Sequence, residues 1–315
     1  MFTFVLMGAF LKLIRLPNLV LLLLTLYVYG SYVLYPNIVQ HGVIPNLGTK
    51  DYWLLIFIAI CVAAAGYIHN DIVDVLTDHG NAKRQTVGHR IGHRIAWGTY
   101  LFFLMAPIPM VYYLASEIDQ RQYLIYYAVV SGLLFGYNRW FQRLPLIGNA
   151  VVAGLCAFVI SLPFLVETTS LVQLLEVDAV AFDMVRRITI GFVLFSFLAN
   201  LIREIIKDIE DEAGDRLEGY RTLPIAIGVG NTKLVLYGTI TLLFVTVVIW
   251  ILSFALPPVP MTSLIIALVV PLGWITWLLR QASERSDFMR LSEMVKYYFG
   301  IGIIAMWVIT FLLQT

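Results

Sequence analysis

Two short acidic strings hold most of the chemistry available to this 315-residue chain. The first reads Asn70-Asp71-Ile72-Val73-Asp74-Val75-Leu76-Thr77-Asp78, the second Asp208-Ile209-Glu210-Asp211-Glu212-Ala213-Gly214-Asp215. The chain has only 20 Asp and Glu, and ten of them fall within 71–78 and 204–218. Residues three or four apart share one face of a helix. Asn70, Asp74 and Asp78 keep that spacing, with Asp71 one turn from Asp74, and so do Glu204, Asp208, Asp211 and Asp215. Each string is therefore expected to form a carboxylate stripe. Like charges this close repel and raise one another's pKa, and a hard divalent cation relieves the repulsion because carboxylate oxygens are its preferred ligands. Mg²⁺ also takes oxygens from a phosphate, so two such stripes suit a diphosphate with its metal ions.

The elements that must position these stripes are membrane helices. The chain is 60% hydrophobic and 13% charged, against about 25% charged in an ordinary soluble domain. Apolar stretches near the length of a bilayer crossing recur throughout. Nine spans are expected, over 17–35, 52–69, 95–115, 122–137, 146–166, 187–206, 232–254, 260–280 and 293–313, separated by prolines and short polar runs such as Pro36-Asn37, Pro145 and Pro257-Pro258. No connection is long enough for a separate soluble domain, so residues 1–315 read as one polytopic membrane domain, all-α, with the helices around a central cavity. Lys12 and Arg15 precede an apolar run expected to stay as the first span rather than to be cleaved. Cys61 and Cys156 lie in apolar runs, which argues against a disulfide framework. The net charge of +1 gives no sign of a nucleic-acid partner.

With nine spans, 17 of the 21 Lys and Arg fall on the side of the N-terminus. Lys50, Arg121, Arg186 and Arg187 fall on the other. The positive-inside rule then puts the N-terminus and both acidic strings on the cytoplasmic side and the C-terminus opposite. Basic residues flank the strings: Lys83 and Arg84 after the first, Arg203, Lys207, Arg216 and Arg221 around the second, and Arg139 and Arg143 after the fourth span. Most are ordinary topology charges, but a phosphate ligand needs some of them. His89 and His93 belong to the repeated Gly-His-Arg-Ile and lack a third ligand, so they read as an interfacial basic helix. Gly228-Val229-Gly230 lacks the strand and third glycine of a dinucleotide loop. Arg280, Arg285 and Arg290 read as topology charges near anionic lipid.

Asn-Asp-x-x-Asp-x-x-x-Asp at 70–78, followed by Asp-x-x-Asp-x-x-x-Asp at 208–215, resembles the UbiA superfamily of intramembrane prenyltransferases. Arg15-Leu16-Pro17-Asn18, Gly66-Tyr67-Ile68-His69, Pro145-Leu146-Ile147-Gly148-Asn149 and Arg221-Thr222-Leu223-Pro224 agree, and the resemblance covers essentially the whole chain. Arg203-Glu204-Ile205-Ile206-Lys207-Asp208-Ile209-Glu210-Asp211 with Gly214-Asp215 looks closest to the geranylgeranylglycerol-phosphate geranylgeranyltransferase branch. The string Asn81-Ala82-Lys83-Arg84-Gln85-Thr86-Val87-Gly88 departs from the common pattern in lacking a proline.

The resemblance implies a UbiA-like fold and Mg²⁺ on an isoprenyl diphosphate. Asn70, Asp71, Asp74 and Asp78 would hold one ion, and Asp208, Asp211 and Asp215 the other. Asp71, Asp74 and Asp208 with Lys83, Arg143 and Lys207 are the expected catalytic set, the basic residues contacting phosphate as charge develops on the leaving group. The allylic cation needs dry, aromatic surroundings, for which Tyr137 is one candidate. The implied partners are membrane lipids, an isoprenyl diphosphate and a prenyl acceptor, either a polyprenyl glycerophosphate lipid or an aromatic compound as in quinone, haem or chlorophyll synthesis. A cation or phospholipid transporter is the rival class. Its ionisable groups belong near the bilayer midplane, whereas these sit at span ends. A membrane scaffold would leave the clustered acids without a purpose.

Overall fold

The computed structural model describes residues 2–75, 87–88 and 91–314. Asp78, Lys83, Arg84 and His89 fall outside them. The named elements are helical: α1 Phe2–Leu13, α2 Leu16–Val28, α3 Tyr35–Gln40, α4 Thr49–Val73, α5 His93–Met105, α6 Ile108–Glu117 and α7 Gln122–Arg139. After a 3₁₀ turn over Phe141–Arg143 follow α8 Ile147–Val166, α9 Thr168–Val177, α10 Ala179–Leu217, α11 Leu223–Ile227, α12 Val229–Leu252, α13 Pro258–Gln281 and α14 Arg285–Gln314. The protein is an all-α integral membrane protein. Eight stretches among the described residues are long and apolar enough to cross a bilayer, which takes about 20 residues. They match eight of the nine expected spans. The remaining one, over 122–137, is α7, whose 18 residues are diluted by four tyrosines and a polar Gln, Asn and Arg.

Two boundaries differ from expectation, each for a backbone reason. Pro36 does not end the first span. A π-helical segment over Tyr29–Leu34 joins α2 to α3, with the Tyr35 N–H bonded to the Gly30 carbonyl, and the helix continues through Pro36. The expected span 187–206 lies inside α10, a 39-residue helix. At 1.5 Å per residue such a helix runs roughly 58 Å, nearly twice the hydrocarbon thickness of about 30 Å. The second acidic string therefore rides on the extension of a membrane helix. Asp178 starts α10 by accepting the N–H groups of Val180 and Ala181 at 2.9 and 3.0 Å. Gly219 stops it: the chain takes φ +73° there, with Tyr220 N–H bonded to Asp215 O and Gly219 N–H to Arg216 O, the Schellman pattern that favours glycine.

The chain divides into two compact units. The first holds residues 1–23, 47–151 and 212–222. Its core joins Ala9, Leu13 and Ile14 to Ala64, Ala65 and Ile68 of α4 and to Ala96 and Tyr100 of α5, with Val87 and Ile91 as further anchors. The second holds residues 24–46, 152–211 and 223–315. An aromatic row runs through its core: Tyr298 to Phe195 at 5.2 Å, Phe195 to Phe192 at 5.7 Å, and Phe192 to Trp250 at 5.7 Å between ring centroids. Glu167, fully buried there, accepts the Asn46 N–H at 2.7 Å and the Tyr35 hydroxyl at 3.3 Å, which satisfies an otherwise costly carboxylate.

Candidate active site

The first acidic string lies in the first unit, at the C-terminus of α4. Asn70 and Asp71 are in its last turn, and Asp74 caps it, bonding its N–H to the Asn70 carbonyl at 2.9 Å. A helix C-terminus carries partial negative charge, so aspartates are unfavourable there without compensation. Compensation comes from far along the chain. The Arg15 guanidinium donates to Asn70 Oδ1 and pairs with Asp71 Oδ1 at 3.1 Å, while standing 5.0 Å from the Tyr67 ring centroid. Desolvation works to lower the Arg15 pKa, but Asp71, Tyr67 and Asp74 together more than offset it, and the net shift is upward. Asn70 Nδ2 donates to Asp74 Oδ2 at 2.7 Å, and Gln142 Nε2 to Asp74 Oδ1 at 2.9 Å. The result is three side-chain oxygen donors gathered at one helix end.

Gln142 reaches Asp74 from the 3₁₀ turn after α7. Gly148 is what lets α8 start against that turn, because a Cβ there would stand 2.7 Å from the Phe141 carbonyl oxygen. Arg143, next in the turn, lies over the Tyr220 ring at 4.9 Å and accepts the Arg221 N–H on its carbonyl at 3.0 Å. Beneath the first string, His69 is buried between the rings of Phe135 and Tyr100, each 5.0 Å away, and its Nδ1 lies 3.0 Å from Asn138 Nδ2. Tyr137 is half-buried near the end of α7.

The second string is supported differently. Asp208 and Asp211 belong to the second unit and are half-buried on α10. On the same helix, buried Glu204 accepts from Arg203 Nη1 at 2.8 Å and from Lys207 Nζ at 3.5 Å. Lys207, an expected phosphate contact, is thus engaged with Glu204. Arg285, expected to be a topology charge, donates from Nε to the Glu210 carbonyl at 3.1 Å. Asp215, further along α10, is buried and belongs to the first unit.

The site residues that sequence reasoning missed are Arg15 and Gln142. Arg15 stood only as a charge before the first span and within a motif string, and Gln142, 68 positions from Asp74, gave no signal. Among the described residues no three His, Cys, Asp or Glu side chains converge tightly enough to enclose a metal ion. Mg²⁺ takes carboxylate oxygens together with waters and substrate phosphates. The donors present are hard carboxylate and carboxamide oxygens, which fit such an ion.

Known proteins agree with this architecture. The model of the UbiA prenyltransferase family matches residues 39–300. The digeranylgeranylglyceryl phosphate synthase of Hyperthermus butylicus is 29% identical over 264 residues, covering 82% of this chain and 80% of that one. The enzyme of the same name from Korarchaeum cryptofilum is 27% identical over 78% of this chain and 80% of its own. A solved structure of digeranylgeranylglyceryl phosphate synthase has a similar fold, with TM-score 0.63 at 19% identity over 98% of this chain and 99% of the other. So does a UbiA homologue from Archaeoglobus fulgidus bound to GPP and Mg²⁺, with TM-score 0.57 at 12% identity over 95% and 99%. With the family model spanning most of the chain, and with both acidic strings inside the matched stretch, the chain belongs to the UbiA prenyltransferase family.

Proposed function

We propose that this protein transfers an isoprenyl group, geranylgeranyl in the first instance, from its diphosphate to a hydroxyl of geranylgeranylglyceryl phosphate or a related polyprenyl glycerophosphate, using Mg²⁺. The observation that carries the reading is the gathering of Asn70, Asp71 and Asp74 oxygens at the end of α4 by Arg15 and Gln142. The activity named for the archaeal relatives supports the acceptor class, and the homologue with GPP and Mg²⁺ supports the donor and the metal. Asn70, Asp71, Asp74 and Asp78 are assigned as ligands of one ion, and Asp208, Asp211 and Asp215 of another.

Bound Mg²⁺ supplies Lewis-acid charge to the departing diphosphate. The chain's own residues do the rest. Arg15 and Gln142 hold the first set of oxygens in place before substrate arrives, which removes reorganisation from the reaction itself. Lys83 and Lys207 contact oxygens of the departing diphosphate, Lys207 by giving up Glu204, and Arg143 contacts a phosphate oxygen. Aromatic side chains such as Tyr137 keep water from the allylic carbon while its bond to oxygen breaks and the acceptor oxygen bonds to it, releasing the hydroxyl proton.

The charge asymmetry of the loops supports a cytoplasmic N-terminus and active site, with the C-terminus across the membrane. Residues 1–315 act as one domain on this reading, since α2, α8 and α10 each carry residues of both compact units. The test is incubation of purified protein with geranylgeranyl diphosphate, Mg²⁺ and a panel of acceptors, with product masses measured. A product on the glycerophosphate lipid is expected. Transfer to an aromatic acid and none to a glycerophosphate refutes the acceptor assignment.

A further inference from the structure

We propose that Arg143 and Arg221 form a separate subsite for the phosphate monoester of the acceptor, next to the first acidic string but not part of the donor's diphosphate site. The proposal deepens the functional reading and rests on the acceptor being a glycerophosphate lipid.

Several cations near the two strings are already engaged. Arg15 is held by Asn70 and Asp71, Arg203 and Lys207 by Glu204, and Arg216 by Glu212 at 2.6 Å. Arg143 and Arg221 are exposed, and among the described residues neither has a carboxylate within ion-pair distance. They are nonetheless built into one place. The Arg221 N–H bonds the Arg143 carbonyl at 3.0 Å, so the two residues issue from paired backbone. The Arg143 guanidinium lies 4.9 Å from the Tyr220 ring centroid. Tyr220 is itself buried and fixed as the residue after Gly219 in the stop of α10. Cation–π attraction to an aromatic face helps hold a guanidinium in place, and the guanidinium's fork of N–H groups suits bidentate binding of phosphate oxygens.

The position of the pair relative to the acidic string supplies the second half. Gln142 donates to Asp74 at 2.9 Å, and Arg143 is the next residue. Adjacent Cα atoms are about 3.8 Å apart. In a glycerol phosphate the reacting hydroxyl stands only a few bonds from phosphorus, so the acceptor's phosphate must be anchored that close to the donor. A phosphate monoester carries about −1.5 to −2 charge at neutral pH, which two arginines match. The donor diphosphate instead has the carboxylate-bound metal ions for neutralisation. An acceptor of this class comes from a reaction that joins a prenyl chain to a glycerol phosphate.

The test compares Arg143→Gln, Arg221→Gln and the double variant with wild type. The substrates are geranylgeranyl diphosphate with either the glycerophosphate lipid or the same lipid lacking its phosphate. Binding of each acceptor to detergent-solubilised protein, without donor or Mg²⁺, is measured alongside. The expected result is a rise of about tenfold in acceptor KM for each single variant, the range of a charged hydrogen bond. The kcat/KM preference for the phosphorylated lipid should collapse in the double variant, and its binding should weaken in parallel. Arg143→Lys, which keeps charge but not the fork, should fall between wild type and Arg143→Gln. A rise confined to the KM of the diphosphate gives these arginines to the donor and overturns the proposal. Equal losses on both acceptors make their role structural and also overturn it, with glycerophosphate prenylation intact. If wild-type protein prenylates aromatic acceptors and no glycerophosphate, the functional reading itself fails, and this subsite with it.

Discussion

The two acidic strings look alike on paper and are supported by different physics. The first sits at the C-terminus of α4, where the helix dipole opposes aspartate, and is held by Arg15 and Gln142, 56 and 68 residues away from the aspartates they touch. The second runs along α10 to Asp215, two residues before the helix ends at Leu217, and on the same helix Arg203 and Lys207 close on Glu204 within one turn. The first is a tertiary assembly and the second belongs to one helix.

The largest effect expected treats them equally. Asp74→Asn and Asp208→Asn should each reduce Mg²⁺-dependent prenyl transfer by about a hundredfold to a thousandfold, of the order seen when an electrostatic stabiliser of a transition state is removed. Both variants should remain folded in detergent by size-exclusion chromatography. Unchanged turnover in either would falsify the metal assignment for its string.

The next effect separates them. Arg15→Gln leaves Asp71 without its cation at a helix C-terminus and should cost about 1–3 kcal/mol. Arg203→Gln removes one partner of Glu204 while Lys207 remains, and should cost less. Thermal unfolding of the two variants side by side decides the point, and an equal or larger loss for Arg203→Gln would show the contrast to be false. A smaller effect sharpens it. Gln142→Leu removes one hydrogen bond to Asp74 and should lower kcat/KM about tenfold, equivalent to about 1.4 kcal/mol, with little change in unfolding temperature. A large stability loss with normal activity would mean that Gln142 serves packing rather than the site.

The smallest effect concerns acid. Hydrogen bonds from Ala181 N–H above all hold the Asp178 carboxyl below the usual range, against the opposing effect of burial. A depressed carboxylate pKa adds stability above the unfolded pKa, and that stability disappears as pH falls through the folded value. The start of α10 should thus be pH-insensitive from neutrality down to about pH 4 and fray only below it. Amide exchange at Val180 and Ala181 measured against pH is the check, and fraying already at pH 6 would be inconsistent with this cap.

The legibility of the fold follows the same division. Spans and helix faces came from local pattern, so eight of the expected crossings match helices closely. Errors arose where tertiary surroundings override local signals. Pro36 reads as a break, yet a π-helical segment carries the helix past it. Arg285 reads as a topology charge, yet it bonds the Glu210 carbonyl of the second string.

The sequence alone determined that this is a helical membrane protein with two carboxylate stripes of one spacing, because hydropathy and helical period are properties of neighbours along the chain. Only the tertiary structure decided which groups make the first stripe usable. Arg15, Gln142 and the stacked Arg143 are brought to it by a 3₁₀ turn, a glycine contact and a helix stop, and charge neutralisation at a helix end depends on distance in space rather than along the sequence.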